Sequence, residues 1–227
     1  MEKKNVRTLV IGAHYDDTAW CWAGLVALLA KRGQVDEAVF TDSNFDGIGL
    51  IRKEEQYKMM GILGMGILHA VGEEKEFKDG HLNKVNIKII SQAIIGLLRA
   101  AEEEGSPYTK IISFGDDGHT GHSDHKQLAK AVKKAFKSKK NHSVKELWQV
   151  GMSQEERKLW GKYFVPIPKN KLKGYKAFYV GKVFDDKIKA IKAHKTQYNI
   201  PVGGGRDHIK RLKQLPKVEW FKVYRRV

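Results

Sequence analysis

Residues 6 to 17 read Val-Arg-Thr-Leu-Val-Ile-Gly-Ala-His-Tyr-Asp-Asp. The short apolar run ending at Gly12 predicts a buried strand, and apolar residues at helical spacing from Ala19 to Lys31, stopped at Arg32-Gly33, predict the helix after it. His14, Asp16 and Asp17 fall between the two. They are therefore expected at the carboxyl end of a strand, where open α/β sheets bind their ligands.

Outward from this unit the alternation continues. Residues 35–41 form the next strand candidate, a loop rich in Asp, Asn and Gly covers 42–49, and a helix is expected from about 51 to 63. A strand at 67–71, a helix over 84–104, a strand at 110–114 and a loop at 115–121 follow. Ser123 is placed to cap a helix over 124–138, because its hydroxyl can accept from a first-turn N–H. The pattern predicts an α/β fold: a Rossmann-like, largely parallel sheet flanked by helices. Beyond Ser138 it loosens into an irregular α+β part. Strands are expected there at 147–150, 163–167, 176–180 and 218–224, a helix at 185–194, and a glycine-rich loop at 201–205. One domain is expected over 1–227, with a core to about residue 140 and a C-terminal extension over 141–227.

The formal charge is +16, and it is unevenly spread. Residues 126–227 hold 28 Lys and Arg against 7 Asp and Glu, whereas the first 125 hold 14 against 19. A lysine-rich solvated surface accounts for most such runs, and attraction of an anionic small substrate is the main functional alternative. Nucleic acid is the weaker reading, since aromatics are not interleaved with basic residues on strands. The single cysteine, Cys21, excludes an intrachain disulfide and a cysteine-based zinc ribbon. No long apolar stretch approaches the ~20 residues of a membrane span, and the N-terminus lacks a signal-like apolar region. A cytoplasmic protein without membrane insertion is expected, and homo-oligomerisation is left open.

A second cluster, Gly121-His122-Ser123-Asp124-His125, follows the strand expected at 110–114. Both clusters should open onto the same edge of the sheet. A borderline cation such as Zn²⁺ accepts His nitrogen and Asp oxygen, and a catalytic site keeps a position for water beside three protein ligands. His14, Asp16, Asp17, His122 and His125 supply five candidates for those three places. A hydrolase uses such a surplus, because a base must take a proton from water and another group must stabilise or protonate what develops.

At these residues the chain resembles the PIG-L/LmbE family of metal-dependent N-deacetylases. Ala13-His14-Tyr15-Asp16-Asp17 is similar to the family's Ala-His-Pro-Asp-Asp, and Gly121–His125 to its Gly-His-x-Asp-His. Arg52 and Glu55 resemble its Arg-x-x-Glu, and Ala193 to Gln197 its late Ala-His-x-Ser-Gln segment. The resemblance implies His14, Asp17 and His125 as ligands of Zn²⁺ or another divalent transition metal. It implies Asp16 as general base, and His122 as the imidazole acting on the intermediate or the departing amine. Asp124 would orient His122 and favour its charged form. Arg52, Asp79 and His194 would contact substrate, a small N-acetylated sugar or sugar conjugate of the N-acetylglucosamine type, with an anionic aglycone among the options.

The chain departs from the family at Tyr15 (proline), at Thr18 (glutamate) and over Trp20 to Gly24. Plainer readings stand beside these assignments. Arg52 could pair with Glu55 across a helical turn, Asp79 could serve a turn, and His194 could end a helix. His119 lies outside the pattern and is expected in an exposed loop. The competing functions are a basic nucleotide- or nucleic-acid-binding module, which lacks both the dinucleotide glycine pattern and a P-loop, and a metal-binding relative without catalysis.

Overall fold

In a computed structural model, residues 6–138, 142–160, 166–167, 169–198 and 205–226 are described. Strands β1 (Arg7–Gly12), β2 (Val35–Val39), β3 (Leu68–His69), β4 (Tyr108–Phe114), β5 (Glu146–Gly151), β6 (Tyr175–Tyr179) and β7 (Val218–Arg225) join in one sheet of order β3-β2-β1-β4-β5-β7-β6. The first five pair in parallel, while β7 is antiparallel to both β5 and β6. The sheet is the expected α/β arrangement. All six residues of β1 are buried, as a central parallel strand covered on both faces requires.

The helices are α1 (Asp17–Cys21), α2 (Ala23–Ala30), α3 (Gly49–Leu63), α4 (Val71–Glu74), α5 (Ile87–Glu103), α6 (Ser123–Lys137), α7 (Gln154–Trp160), α8 (Phe184–Ala193), α9 (Lys195–Tyr198) and α10 (Gly205–Gln214). From β1 the chain moves outward to β3, then returns to β4 and moves outward the other way. Right-handed crossovers therefore put α2 and α3 on one face and α6 on the other. Accordingly, α8 packs on α2 and α3, and α5 packs on α6. The direction reverses between β1 and β4, which opens a crevice at their carboxyl ends.

Several expectations are corrected. The helix expected over 19–31 is two helices, broken at Trp22, whose backbone sits at φ −150°. The break exposes the first N–H groups of α2, and Glu219 of β7 accepts from Gly24 N (3.0 Å) and Leu25 N (2.8 Å). A carboxylate at a helix start is favoured by both hydrogen bonding and the dipole. Ser123 is not the cap of α6: that position is His122, whose Nδ1 accepts from Asp124 N at 3.2 Å. The helix expected from 84 starts at Ile87, where the Asn86 side chain accepts from Lys88 N. The strand at 67–71 shrinks to two residues before α4.

In the C-terminal part, α7 and α10 arise where none was expected. Ser153 and Glu156 cap α7 reciprocally, each side chain accepting from the other's backbone N–H. Most of the strand expected at 163–167 and of the loop at 201–205 lies outside the described residues, and Gly205 opens α10. Among the described residues no helix is long and apolar enough to cross a membrane, and Cys21 is a buried free thiol.

Candidate metal centre

The loop after β1 folds back on Asp17. Its Oδ2 accepts from Ala13 N (2.8 Å) and His14 N (2.7 Å), and a Cβ at Gly12 would press on the same side chain at 3.3 Å. The carboxylate is thus fixed by backbone before any ligand arrives. The loop after β4 is wound through left-handed residues at Gly118 (φ +73°), His119 (φ +61°) and Gly121 (φ +78°). At Gly118 an added Cβ would also meet Lys126 N at 3.0 Å, so both space and backbone require glycine. This winding brings the Gly118 carbonyl 3.1 Å from His125 Nδ1, and the Thr120 hydroxyl lies 3.0 Å from the same nitrogen. The ring stacks on Phe114 with centroids 4.0 Å apart. A proton held on Nδ1 by the carbonyl leaves Nε2 as a lone pair directed inward.

Three donors converge there. His125 Nε2 lies 3.1 Å from Asp17 Oδ1 and 3.1 Å from His14 Nδ1, and His14 Nδ1 lies 3.7 Å from Asp17 Oδ2. A tetrahedral zinc with bonds of ~2.0–2.1 Å separates its ligand atoms by about 3.3 Å; His125 Nε2 stands near that spacing from both Asp17 Oδ1 and His14 Nδ1, while His14 meets Asp17 through Oδ2, the oxygen that also receives the two backbone N–H groups. Electrostatics agree. Burial opposes a charge on His14, yet hydrogen bonds to Asp124, Asp17 and Asp79 raise its pKa well above the usual range. The cluster demands positive charge at this point, and a bound cation meets the demand as well as a proton does. Asp17 feels the converse: burial pushes its pKa up, but His125 and His14 outweigh it and hold the carboxyl well below its usual range. A ring nitrogen of His122 also comes within 4.8 Å of those of His14 and His125.

Asp16 stands outside this triad. Its Oδ1 takes a 2.9 Å bond from Arg52, whose other terminal nitrogen reaches Asp79 Oδ2 at 3.3 Å. Arg52 therefore ties the β1 loop to residue 79 and does not pair with Glu55, which instead accepts from Thr196 N and Oγ1. Asp79 does more than shape a turn: its Oδ1 sits 3.1 Å from His14 Nε2. His122 is exposed at the cavity wall, its ring edge-on to His14 at 5.0 Å.

Two expected contacts differ. The Asp124 carboxylate does not orient the His122 ring: it is fully buried, accepts from Gly80 N (2.8 Å) and Leu82 N (3.0 Å), and faces His14 Nε2 at 3.4 Å. Desolvation and the charges of His14 and His125 lower the His122 pKa, outweighing the pull of Asp124. His194 does not reach the cavity. It is 0% exposed, neither ring nitrogen has a partner, and Gln197 from the same segment lines the wall instead.

The departures at positions 15 and 18 are absorbed behind the site. The buried Tyr15 hydroxyl donates to Glu73, and Thr18 Oγ1 donates to Glu37 at 2.5 Å. Glu37 is fully buried, which pushes its pKa up to about 8. Trp22 fills the core against Phe114, so of the aromatic pair only Trp20 lines the cavity.

That cavity, of about 470 Å³, is lined by His14, Asp16, Asp17, His122 and His125. Its other walls come from Phe45, His119, the end of β5, Glu156, Lys187, Leu212, Glu219 and Trp220. None of these belongs to a motif, and nothing local in the sequence marks them. His119 corrects the expectation of an exposed loop residue: it is buried, and desolvation pushes its pKa down to about 3.

Comparison with known proteins matches residues 9–136 to the family described as "PIG-L: GlcNAc-PI de-N-acetylase". A Bos taurus N-acetylglucosaminyl-phosphatidylinositol de-N-acetylase is 30% identical over 129 residues, covering 56% of this chain. The chain spans about half the length of that relative, 49%. Among solved structures, the N,N'-diacetylchitobiose deacetylase of Pyrococcus horikoshii superposes with a TM-score of 0.71 at 16% identity, covering 98% of this chain and 85% of its own. The 4-carboxy-2-hydroxymuconate hydratase of Pseudomonas putida superposes at 0.62 and 14% identity, over 98% of each chain. At such identities the superpositions show a shared fold, which evidently hosts more than one reaction.

Proposed function

The chain belongs to the PIG-L family, and from that premise we propose that it is a zinc-dependent N-deacetylase that hydrolyses the acetamide of an N-acetylglucosamine-type sugar or sugar conjugate. The observation that carries this reading is the convergence of His14, Asp17 and His125 within 3.1–3.7 Å of one another, beside a carboxylate that is not needed as a ligand. In this reading these three residues hold Zn²⁺, or another divalent transition metal. When bound, the ion polarises a carbonyl oxygen and makes water a stronger acid.

The remaining residues divide the proton work. Asp16 takes a proton from water: Arg52 engages Oδ1, which fixes the side chain and leaves Oδ2 as the oxygen that receives the proton. Water oxygen adds to the acetyl carbon, the carbon–nitrogen bond breaks, and His122 delivers a proton to the departing amine. Acetate and a free amino sugar result. His122 lies on the cavity wall, and because its pKa is held below the usual range it serves as a relay, taking up the proton released from water and passing it to the departing nitrogen. Asp79 and Arg52 flank the same space and hold sugar hydroxyls, while Asp124 keeps His14 in place. A reducing, cytoplasmic setting accords with the lone buried thiol.

Metal analysis of the purified protein, combined with acetate release from N-acetylglucosamine glycosides, tests this. About one transition-metal ion per chain is expected, and His14→Ala, Asp17→Ala and His125→Ala should each lose it together with activity. Stoichiometric metal in all three variants, or no acetate from any such glycoside with the zinc-loaded protein, would overturn the reading.

A further inference from the structure

Away from the metal centre, a second groove of about 610 Å³ runs between α5 and α6 and shares no lining residue with the first cavity. We propose that it is an anion site that takes a chain of phosphate groups, free or carried on a nucleotide. Five ammonium groups line it, those of Lys88 from α5 and of Lys130, Lys133, Lys134 and Lys137 from α6, against one carboxylate, Asp116. Ser91 and Ile95 are buried in its floor, and the exposed Gln92 stands beside them.

Helix stability does not account for this crowding. On α6 the pairs Lys130–Lys134 and Lys133–Lys137 put like charges one turn apart, an arrangement that destabilises a helix. The dipole at the last turn of α6 does favour Lys134 and Lys137. Lys88 has no such reason, because it sits in the first turn of α5, where the dipole repels a cation. Lys133 is committed: it pairs with Asp116 Oδ1 at 2.6 Å and lies over the Tyr224 ring at 5.3 Å. For Lys88, Lys130, Lys134 and Lys137, no carboxylate among the described residues comes within ion-pairing distance.

An anion in the groove meets these four uncommitted ammonium groups from two helices at once. Lysine serves such contacts as a point charge with three rotatable donors. From Lys130 to Lys137 the helix rises about 10 Å, a length that suits several linked phosphates and exceeds one. Ser91 and Gln92 add hydroxyl and amide donors for further phosphate oxygens. No aromatic ring is among the lining residues, so a nucleic-acid base has nothing to stack on. A groove between two helices also does not fit the flat surface of a bilayer.

Isothermal titration of the metal-loaded full chain decides the matter at ~0.15 M salt, where a Debye length of about 8 Å screens charges that do not converge. The probes are inorganic tripolyphosphate, orthophosphate, adenosine triphosphate and single-stranded oligothymidylate, with metal content measured after each titration. One tripolyphosphate per chain is expected, bound at least about tenfold more tightly than orthophosphate. The double variant Lys130→Gln/Lys134→Gln should weaken it by about tenfold or more. A second double variant, Lys182→Gln/Lys192→Gln, removes the same charge from exposed positions at α8, on the opposite face of the sheet, and should leave binding within about twofold. Tighter binding of adenosine triphosphate than of tripolyphosphate names a nucleotide as the source, and equal or weaker binding a free polyphosphate; either keeps the site. Absent tripolyphosphate binding, parity with orthophosphate, tighter binding of oligothymidylate, or equal weakening in the two double variants overturns the proposal. So does native-like binding by the first double variant, which, with metal lost from the chain, would put the anion at the metal centre instead.

Discussion

Residues 9–136 and the residues after them build two walls of one cavity by opposite means. On the first wall, loops after parallel strands carry donors that are neighbours in sequence: Ala13 N, His14 N and the Asp17 carboxylate lock within five positions. On the second wall the contacts are distant. Glu219 reaches Gly24 across 195 positions, and Trp220 sits on an antiparallel strand inserted between β5 and β6. Each cluster is thus set within its own loop, whereas the meeting of the two clusters and the space around them are the work of the whole topology. Substitutions on the first wall should change rate, and those on the second should change stability.

The largest expected effect tests the first wall alone. Asp16→Asn should retain metal and unfold at the native denaturant concentration, yet lose roughly 10²–10⁴-fold in kcat. Metal loss in this variant would erase the distinction drawn between ligand and base. On the second wall, Glu219→Ala strands the buried Lys187 ammonium and uncaps α2. Urea unfolding should show a loss of about 3–5 kcal/mol, and replacing Lys187 by Met in the same chain should recover part of it. A change within ~0.5 kcal/mol would mean that the second wall does not hold the first.

Glu37 offers a milder, pH-dependent test beneath both walls. Burial raises its pKa from 4.5 to about 8, so between these values the unfolded chain ionises while the folded one stays protonated. Its contribution to stability is complete below pH 4.5, declines as pH rises, and is lost once pH passes about 8. Unfolding of native protein and Glu37→Gln from pH 4 to 9 should diverge across that window and run parallel above it. Least of all, Tyr15→Phe removes one hydrogen bond to Glu73, a cost of about 1 kcal/mol, with kcat unchanged. A large loss of rate there would show that the residue at the family's proline position acts on the site.

The same contrast explains what could be read from the residues. The parallel sheet and the two loops that carry the His and Asp clusters were legible, because each is a short pattern whose cause is local: an apolar run, then polar donors at its carboxyl end. The break at Trp22 was not, since it depends on a carboxylate supplied by β7. Nor was the seat of Asp124, whose partners are backbone groups of Gly80 and Leu82. His119 looked like an exposed loop residue; it lies in the loop after β4 and is buried there. His194 carried a motif, yet burial and not exposure is where the fold puts it. One signal was present and went unread. Ser153-Gln154-Glu155-Glu156 is a capping-box spelling, and it does open α7.

The clasp between Glu219 and the start of α2 bears on how the molecule comes into being. A ribosome releases β1 and the first histidine early and β7 late, and contacts of such long sequence separation are slow to form. Until β7 docks, the first N–H groups of α2 lack their carboxylate, Lys187 lacks its counter-charge, and β5 presents a bare edge to other chains. A nascent chain would carry both His and Asp loops before the wall supplied by β7 closed the cavity beside them. The closed cavity is the last feature this protein acquires as it is made.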